Sequence, residues 1–280
     1  MTAIPLGEIE IGSAPFVAEV MRARRREKLR RMGFSIGFPL LLLAMWQAAA
    51  SAGMIDVRFF PSPMRILKTS IETLQAPDER ALIEAHLMAT LSRLVLGYLL
   101  GAVLGIIVGV TMAVYMPFRA SLAPIIYATF PTPKLAIFPL LIVIFGLGDA
   151  SKAALVTLGV FYMTCINSLA GVQYANPIYQ DVAQAFRVPA STRWFKIIIP
   201  SALPSIVTGL KLGIGQALIL VVSAEFVSSN DGLGYFIWNS WQTLDISRMF
   251  MGLVIVSIVG GIAVVGGNAL ERYLIPWAKH

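Results

Sequence analysis

The 280-residue chain has little of what soluble enzymes use for chemistry. It has one cysteine and two histidines. Cys165 stands alone in an apolar run, so an intrachain disulfide or a thiolate metal site is excluded. His86 and His280 leave no cluster for a metal or a nucleophile–base pair. No metal site and no catalytic residue is therefore expected. Charge is scarce as well, at 13% against about a quarter in a soluble domain. No Gly-x-x-x-x-Gly-Lys-Ser/Thr segment occurs, so the chain lacks the loop that cradles nucleotide phosphates. What remains is apolar: 57% of residues are hydrophobic and the mean hydropathy is +0.77. These values exclude an ordinary water-soluble globule and point to a membrane protein.

A helix crosses the hydrocarbon layer with about 20 apolar residues. Six runs meet that length: 33–55, 94–118, 121–147, 153–172, 205–224 and 249–270. The third is interrupted by Pro131-Thr132-Pro133-Lys134 and again by Pro139. The first follows a basic stretch and contains Ala48-Ala49-Ala50-Ser51-Ala52, which has the look of a cleavage site. A signal peptide, however, has an apolar region of about 7–15 residues, so this longer run is expected to stay as a membrane helix. The expected fold class is an all-α integral membrane protein of about six transmembrane helices. Residues 1–32 form a basic N-terminal segment and 33–280 the membrane domain.

The formal charge of +7 suits anionic partners, but its distribution follows topology rather than nucleic-acid binding. Arg22, Arg24, Arg25, Arg26, Lys28, Arg30 and Arg31 precede the first span and fit a topogenic and anionic-lipid contact. With that end cytoplasmic, inside segments carry 13 basic residues and outside segments six. Both termini are thus expected inside, and no nucleic-acid partner is expected. Three cations, Arg93, Lys134 and Lys211, lie within or at the edge of spans.

Two non-spanning segments stand out. After Phe60-Pro61-Ser62-Pro63, residues 64–86 read as one amphipathic helix with apolar Ile66, Leu67, Ile71 and Leu74. The loop 173–204 is long for a compact domain, mixes charge with apolar residues and has helical spacing. It is either a plain connector or a docking surface for a cytoplasmic partner. Gly97, Gly101, Gly105 and Gly109 recur every four residues, the small-residue stripe that lets helices approach closely in lipid. Packing within the chain is the expected use of that stripe, a direct dimer interface the alternative. Lys134, after two prolines in a broken helix, is a candidate lining for an anion pathway, or else snorkels or contacts a helix end. Lys211 lies about two turns from the cytoplasmic end, where snorkelling is the simpler reading. Glu225 ends the fifth span, as a gate or contact residue or as a solvated helix end.

The stretch Asp181-Val182-Ala183-Gln184-Ala185-Phe186-Arg187-Val188-Pro189, continued by Trp194-Phe195-Lys196-Ile197-Ile198-Ile199-Pro200, resembles the EAA loop of permease subunits of bacterial ABC importers. Asp181 takes the Glu position, and Arg187 falls where that family usually has Gly. Further blocks resemble the family in its order: Phe60 to Pro63, Arg93 to Gly109, Phe130 to Ala136, Phe145 to Gly148, Ala224-Glu225, Gly232 to Tyr235 and Pro276-Trp277. They look most like the branch serving nitrate, sulfonate, taurine and bicarbonate uptake. The resemblance implies a type I importer permease of the bacterial inner membrane, moving a small anion. It implies a coupling helix formed by Asp181, Ala183, Ala185, Phe186, Arg187, Val188 and Pro189, with Pro189 and Pro200 limiting two short helices. It also implies separate ATPase subunits that bind ATP and magnesium, a periplasmic or lipid-anchored solute-binding protein, and a second permease copy. The chain itself holds no cofactor on this reading. A stand-alone channel or secondary transporter is the alternative, but inverted repeats and intramembrane acids for ion coupling are not evident.

Overall fold

The computed structural model describes residues 14–174 and 185–277, and every regular element among them is helical. The chain divides into two compact units at residues 66 and 67.

The first unit is dominated by α1 (Ala14–Ser51), which carries Pro39 inside it and runs unbroken through the expected 32/33 boundary. Its apolar half, Gly33–Ser51, is long enough to cross a membrane and exposes nearly all its side chains, including Phe34, Phe38, Leu41 and Met45. Gly53, at a positive φ of 70°, ends the helix earlier than the apolar run predicts. The next turn is tied locally: Gln47 Oε1 accepts from Met64 N at 3.1 Å and Asp56 accepts from Arg58.

The expected single helix over 64–86 is two. α2 (Pro63–Gln75) ends before Pro77, which lacks the N–H needed to continue the ladder. α3 (Pro77–Val114) then runs from that proline through the whole second apolar run. The second unit also contains α4 (Met116–Thr129), a 3₁₀ turn (Lys134–Ile137), α5 (Phe138–Phe145) and α6 (Asp149–Gln173). A one-turn α7 (Ala190–Arg193) leads through a π-turn (Trp194–Ile198) into α8 (Ile199–Val227). α9 (Leu233–Gln242) and α10 (Ile246–Leu274) follow. Pro200 does not separate helices as its position suggested. It has no N–H for the carbonyl four residues back, and the ladder slips to a five-residue step there, with Ile199 N bonding Trp194 O.

Five described helices have the length and apolarity to cross a membrane, and the α4–α5 pair, bent by 99°, makes a sixth when taken as one broken span. The direction of the helices explains the bend. Gly97 meets Ala153 and Val156 while Gly109 meets Cys165 and Ser168, so α3 and α6 run parallel. The intervening chain must therefore recross the bundle, and it does so through Pro131, Pro133 and Pro139. Residues 94–118 are accordingly not one span, because α3 stops at Val114 and Pro117 opens α4. α8 runs antiparallel to α6, with Gly159 against Leu220 and Gly171 against Ser205.

The buried core lies between α5, α6 and α8, where Phe138, Leu155, Val160, Leu220 and Val221 interlock. A second cluster joins α3, α4 and α6 through Met112, Ile126, Cys165 and Leu169. Outward faces of α3 and α10 expose Leu99, Val103, Ile107, Ile258 and Ile262, as lipid-facing helices do.

Candidate functional site

One face of α3 carries the arrangement. His86, Thr90, Arg93, Gly97, Gly101, Gly105 and Gly109 recur at three- and four-residue steps and are all buried. The first three are polar and the remainder glycine.

The glycine half is taken up by α6 of the same chain. A Cβ at Gly97 would stand 2.6 Å from the Val156 Cβ, and one at Gly101 2.5 Å from the Thr157 carbonyl oxygen. No side chain fits, so the two backbones touch. Thr157 Oγ1 adds a hydrogen bond to Gly97 O at 3.2 Å.

The polar half builds a buried ionic cluster. The Arg93 side chain is 2% exposed and meets carboxylates from three segments. Its Nε donates to Asp149 at the start of α6 at 2.7 Å. Its Nη1 donates to Glu225 at the end of α8 at 2.8 Å, and its Nη2 to Asp231. Glu225 is fully buried and also accepts from Thr90 Oγ1 at 2.9 Å and Gly234 N at 2.8 Å. Thr90 in turn accepts from Leu233 N at 2.8 Å, and His86 Nδ1 accepts from Gly232 N at 3.1 Å. Gly232 sits at φ 102°, and a Cβ there would strike the Glu225 carboxylate. The turn into α9 thus closes over the acid only because a glycine occupies it.

A buried carboxylate is costly unless paired and fully hydrogen-bonded, and Glu225 is both. The cluster ties α3, α6, α8 and α9 together at one end of the bundle. Beside it, a cleft of about 520 Å³ is lined by Arg93, Asp149, Lys152, Ser229 and Asp231. Lys152 is 3% exposed, and among the described residues its Nζ donates only to the Leu147 and Gly148 carbonyls, at 3.5 and 3.4 Å. Partial burial pushes the Asp231 carboxyl up, but the Arg93 hydrogen bond and charge outweigh it and hold the group below the usual carboxylate range.

The residues expected from sequence fall in different places. Glu225 is no solvated helix end but the centre of this cluster. Lys134 lies half-buried at the bend, where its Nζ donates to Phe130 O and to Thr132 O at 3.0 Å. It also stands over the Tyr162 and Phe130 rings, 4.6 and 5.1 Å from their centroids. Lys211 is paired with Glu271 of α10 at 2.8 Å. These three groups do not converge. Arg93, Thr90, His86, Asp149, Lys152 and Asp231 were missed as site residues. The available signal was the pairing of Arg93 with Glu225, opposite charges at the edges of two apolar runs.

At the other end of α6, about 36 Å away at 1.5 Å per residue, lies the second region of interest. Asp181 and Ala183 fall outside the described residues. Ala185 is helical, and the chain leaves it through Phe186, 79% exposed, and Arg187 at φ 49°. Arg187 thus adopts the left-handed conformation that glycine favours, at about 1 kcal/mol of backbone strain. Val188 is half-buried and Pro189 exposed, and α7 starts directly after them.

Known proteins share this chain's sequence along most of its length. The family described as binding-protein-dependent transport system inner membrane component matches residues 101–279. The taurine transport system permease protein TauC of Escherichia coli is 33% identical over 251 residues, 89% of this chain and 90% of that one. The putative aliphatic sulfonates transport permease protein SsuC of Bacillus subtilis is 30% identical over 91% of each chain. The nitrate import permease protein NrtB of Synechocystis sp. is 28% identical over 79% of this chain and 81% of its own. A polytopic helical bundle with these relatives is a transport permease rather than an enzyme, and the chain belongs to the inner-membrane permease family of binding-protein-dependent ABC importers, in its taurine, sulfonate and nitrate branch.

Proposed function

We propose that the chain forms the translocation pathway of an ATP-driven importer for a small anionic solute of the nitrate, sulfonate, taurine or bicarbonate kind. Separate ATPase subunits hold ATP and magnesium and dock on the segment from Asp181 to Pro189. A periplasmic or lipid-anchored binding protein delivers the solute, and a second copy of the chain completes the pathway in the bacterial inner membrane. The observation that carries this reading is Phe186. An aromatic side chain 79% exposed, beside a left-handed Arg187, is an apolar anchor without a partner among the described residues. Its place between α6 and α8 gives it leverage. The two helices are locked together by close approaches, such as Gly209 against Asn167 and Ser205 Oγ donating to Asn167 O at 2.8 Å. A push on the segment therefore moves both as one body and reaches the Arg93 cluster at the far end, a rigid-body gating motion.

The charge bias supports a cytoplasmic Phe186 and a periplasmic Arg93 cluster. Of the intramembrane cations, we assign Lys134 to the anion pathway, because it sits at the break in a spanning segment, where irregular backbone lines cavities. Lys211 and Glu225 are assigned structural pairings with Glu271 and Arg93.

The test is uptake by the reconstituted complex. Ala183→Arg, Ala185→Arg and Phe186→Asp are each expected to lower solute uptake and solute-stimulated ATPase activity together, with insertion of the permease unchanged. Uptake that persists in vesicles without ATPase subunits would overturn the reading.

A further inference from the structure

A recess of about 510 Å³ opens at the end of the bundle opposite Arg93, between the end of α3, the start of α4, the end of α6 and the turn into α8. Its polar walls are Arg119, Arg193 and Gln173, with Tyr174, Trp194 and Val172 beside them. Unlike that of Arg93, neither guanidinium group has an ion pair or hydrogen bond among the described residues, and the Nε–H of Arg193 is buried with no acceptor among them. A buried guanidinium donor without an acceptor is unfavourable, because it has given up water without a replacement partner. Two guanidinium groups on one recess, with no acid among its described lining residues, concentrate positive charge where donors are already in place. The planar guanidinium fork matches the oxygens of a tetrahedral oxyanion, and the Gln173 amide and Tyr174 hydroxyl supply further donors. Exposed Val114, Tyr115 and Met116 adjoin the recess and carry lipid-facing apolar surface up to its edge.

We propose that this recess binds a tetrahedral oxyanion through Arg119 and Arg193, either the phosphate of an anionic lipid headgroup or a free phosphate or sulfate ion. This would be a second anion site, separate from the translocation pathway. It lies beside the segment that docks the ATPase, so its occupancy bears on how firmly α6 and the turn before α8 are held.

Trp194 provides a local probe. The full-length chain is reconstituted in nanodiscs of phosphatidylcholine alone and of phosphatidylcholine mixed with phosphatidylglycerol, with Trp194→Phe giving the background from the other tryptophans. If the source is a free ion, sodium phosphate or sodium sulfate at constant ionic strength produces a saturable change in Trp194 emission in phosphatidylcholine discs. If it is lipid, phosphatidylglycerol raises the melting midpoint and is retained by the detergent-purified protein in native mass spectrometry. Arg119→Gln and Arg193→Gln are each expected to weaken the responding arm about tenfold, the loss of one charge-assisted contact. Arg193→Lys, which keeps the charge and loses the fork, falls between. Unchanged circular dichroism and gel-filtration behaviour establish that the variants fold. No response in either arm, or responses in both glutamine variants equal to wild type, would overturn the proposal.

Discussion

Replacing Arg93 with methionine isolates the energetics of the buried cluster, because its three acidic partners differ sharply in exposure. The Asp149 and Asp231 side chains are 67% and 54% exposed and regain water when the guanidinium is removed. Glu225 is fully buried and does not. Nearly all the destabilisation of Arg93→Met therefore falls on one stranded carboxylate, and removing one partner of such a pair destabilises by about 3–5 kcal/mol. Glu225→Gln is milder. The amide keeps its shape and an acceptor oxygen, Arg93 retains Asp149 and Asp231, and the loss is about 1.5–3 kcal/mol, that of a charged hydrogen bond. Asp149→Asn, at an exposed pair, is expected to lose less than about 1 kcal/mol. The double variant Arg93→Met/Glu225→Gln strands no charge, so it should be no less stable than Arg93→Met alone, and the two substitutions should be strongly non-additive. The assay is reversible unfolding of the purified permease in detergent across this set. An Arg93→Met variant within about 1 kcal/mol of wild type, or a double variant equal to the sum of its singles, would refute the reasoning.

The α3–α6 contact predicts that Gly101→Leu, whose side chain would enter the Thr157 backbone, destabilises by about 1–3 kcal/mol or more, while the same change at Gly261, where nothing lies within 4 Å, has little effect; thermal unfolding compares the two. The left-handed backbone at Arg187 predicts that Arg187→Gly keeps ATPase stimulation and Arg187→Val loses it, since a β-branched residue does not adopt φ 49° readily; a Gly variant as inactive as the Val variant would show that the side chain matters and the conformation does not. At Asp231 the folded-state carboxyl sits below its usual range, so its stabilising contribution is complete above the unfolded value of about 3.9 and is lost as pH falls through the folded value. Asp231→Asn should accordingly flatten the loss of stability below about pH 4, measured as melting midpoint against pH.

The sequence was most informative where composition and periodicity act alone. The apolar runs located the membrane helices, and the four-residue glycine stripe marked the helix that another backbone would touch. Element ends were harder to read, because proline acts in three ways in this chain. Pro77 ends α2, Pro117 separates α4 from α3, and Pro200 lies within a continuous helical path because a π-turn absorbs its missing donor. α9 went unread, since its burial against α8 and α10 depends on a turn held by Glu225 rather than on a local pattern. The ionic cluster was legible only in part. Arg93 and Glu225 are 132 positions apart, and nothing local says that α3 and α8 end together. Their meeting follows from the parallel packing of α3 on α6, which required the bend at Pro131 and Pro133.

The proposed transport cycle is tested most directly by solute uptake into proteoliposomes that contain the permease, its ATPase subunits and its binding protein. Labelled taurine, an alkanesulfonate and nitrate would be supplied outside, with ATP inside. Accumulation of at least one of these anions is expected, requiring both ATP and the ATPase subunits and lost in Phe186→Asp. Equal accumulation without the ATPase subunits, or with Phe186→Asp in place, would contradict it.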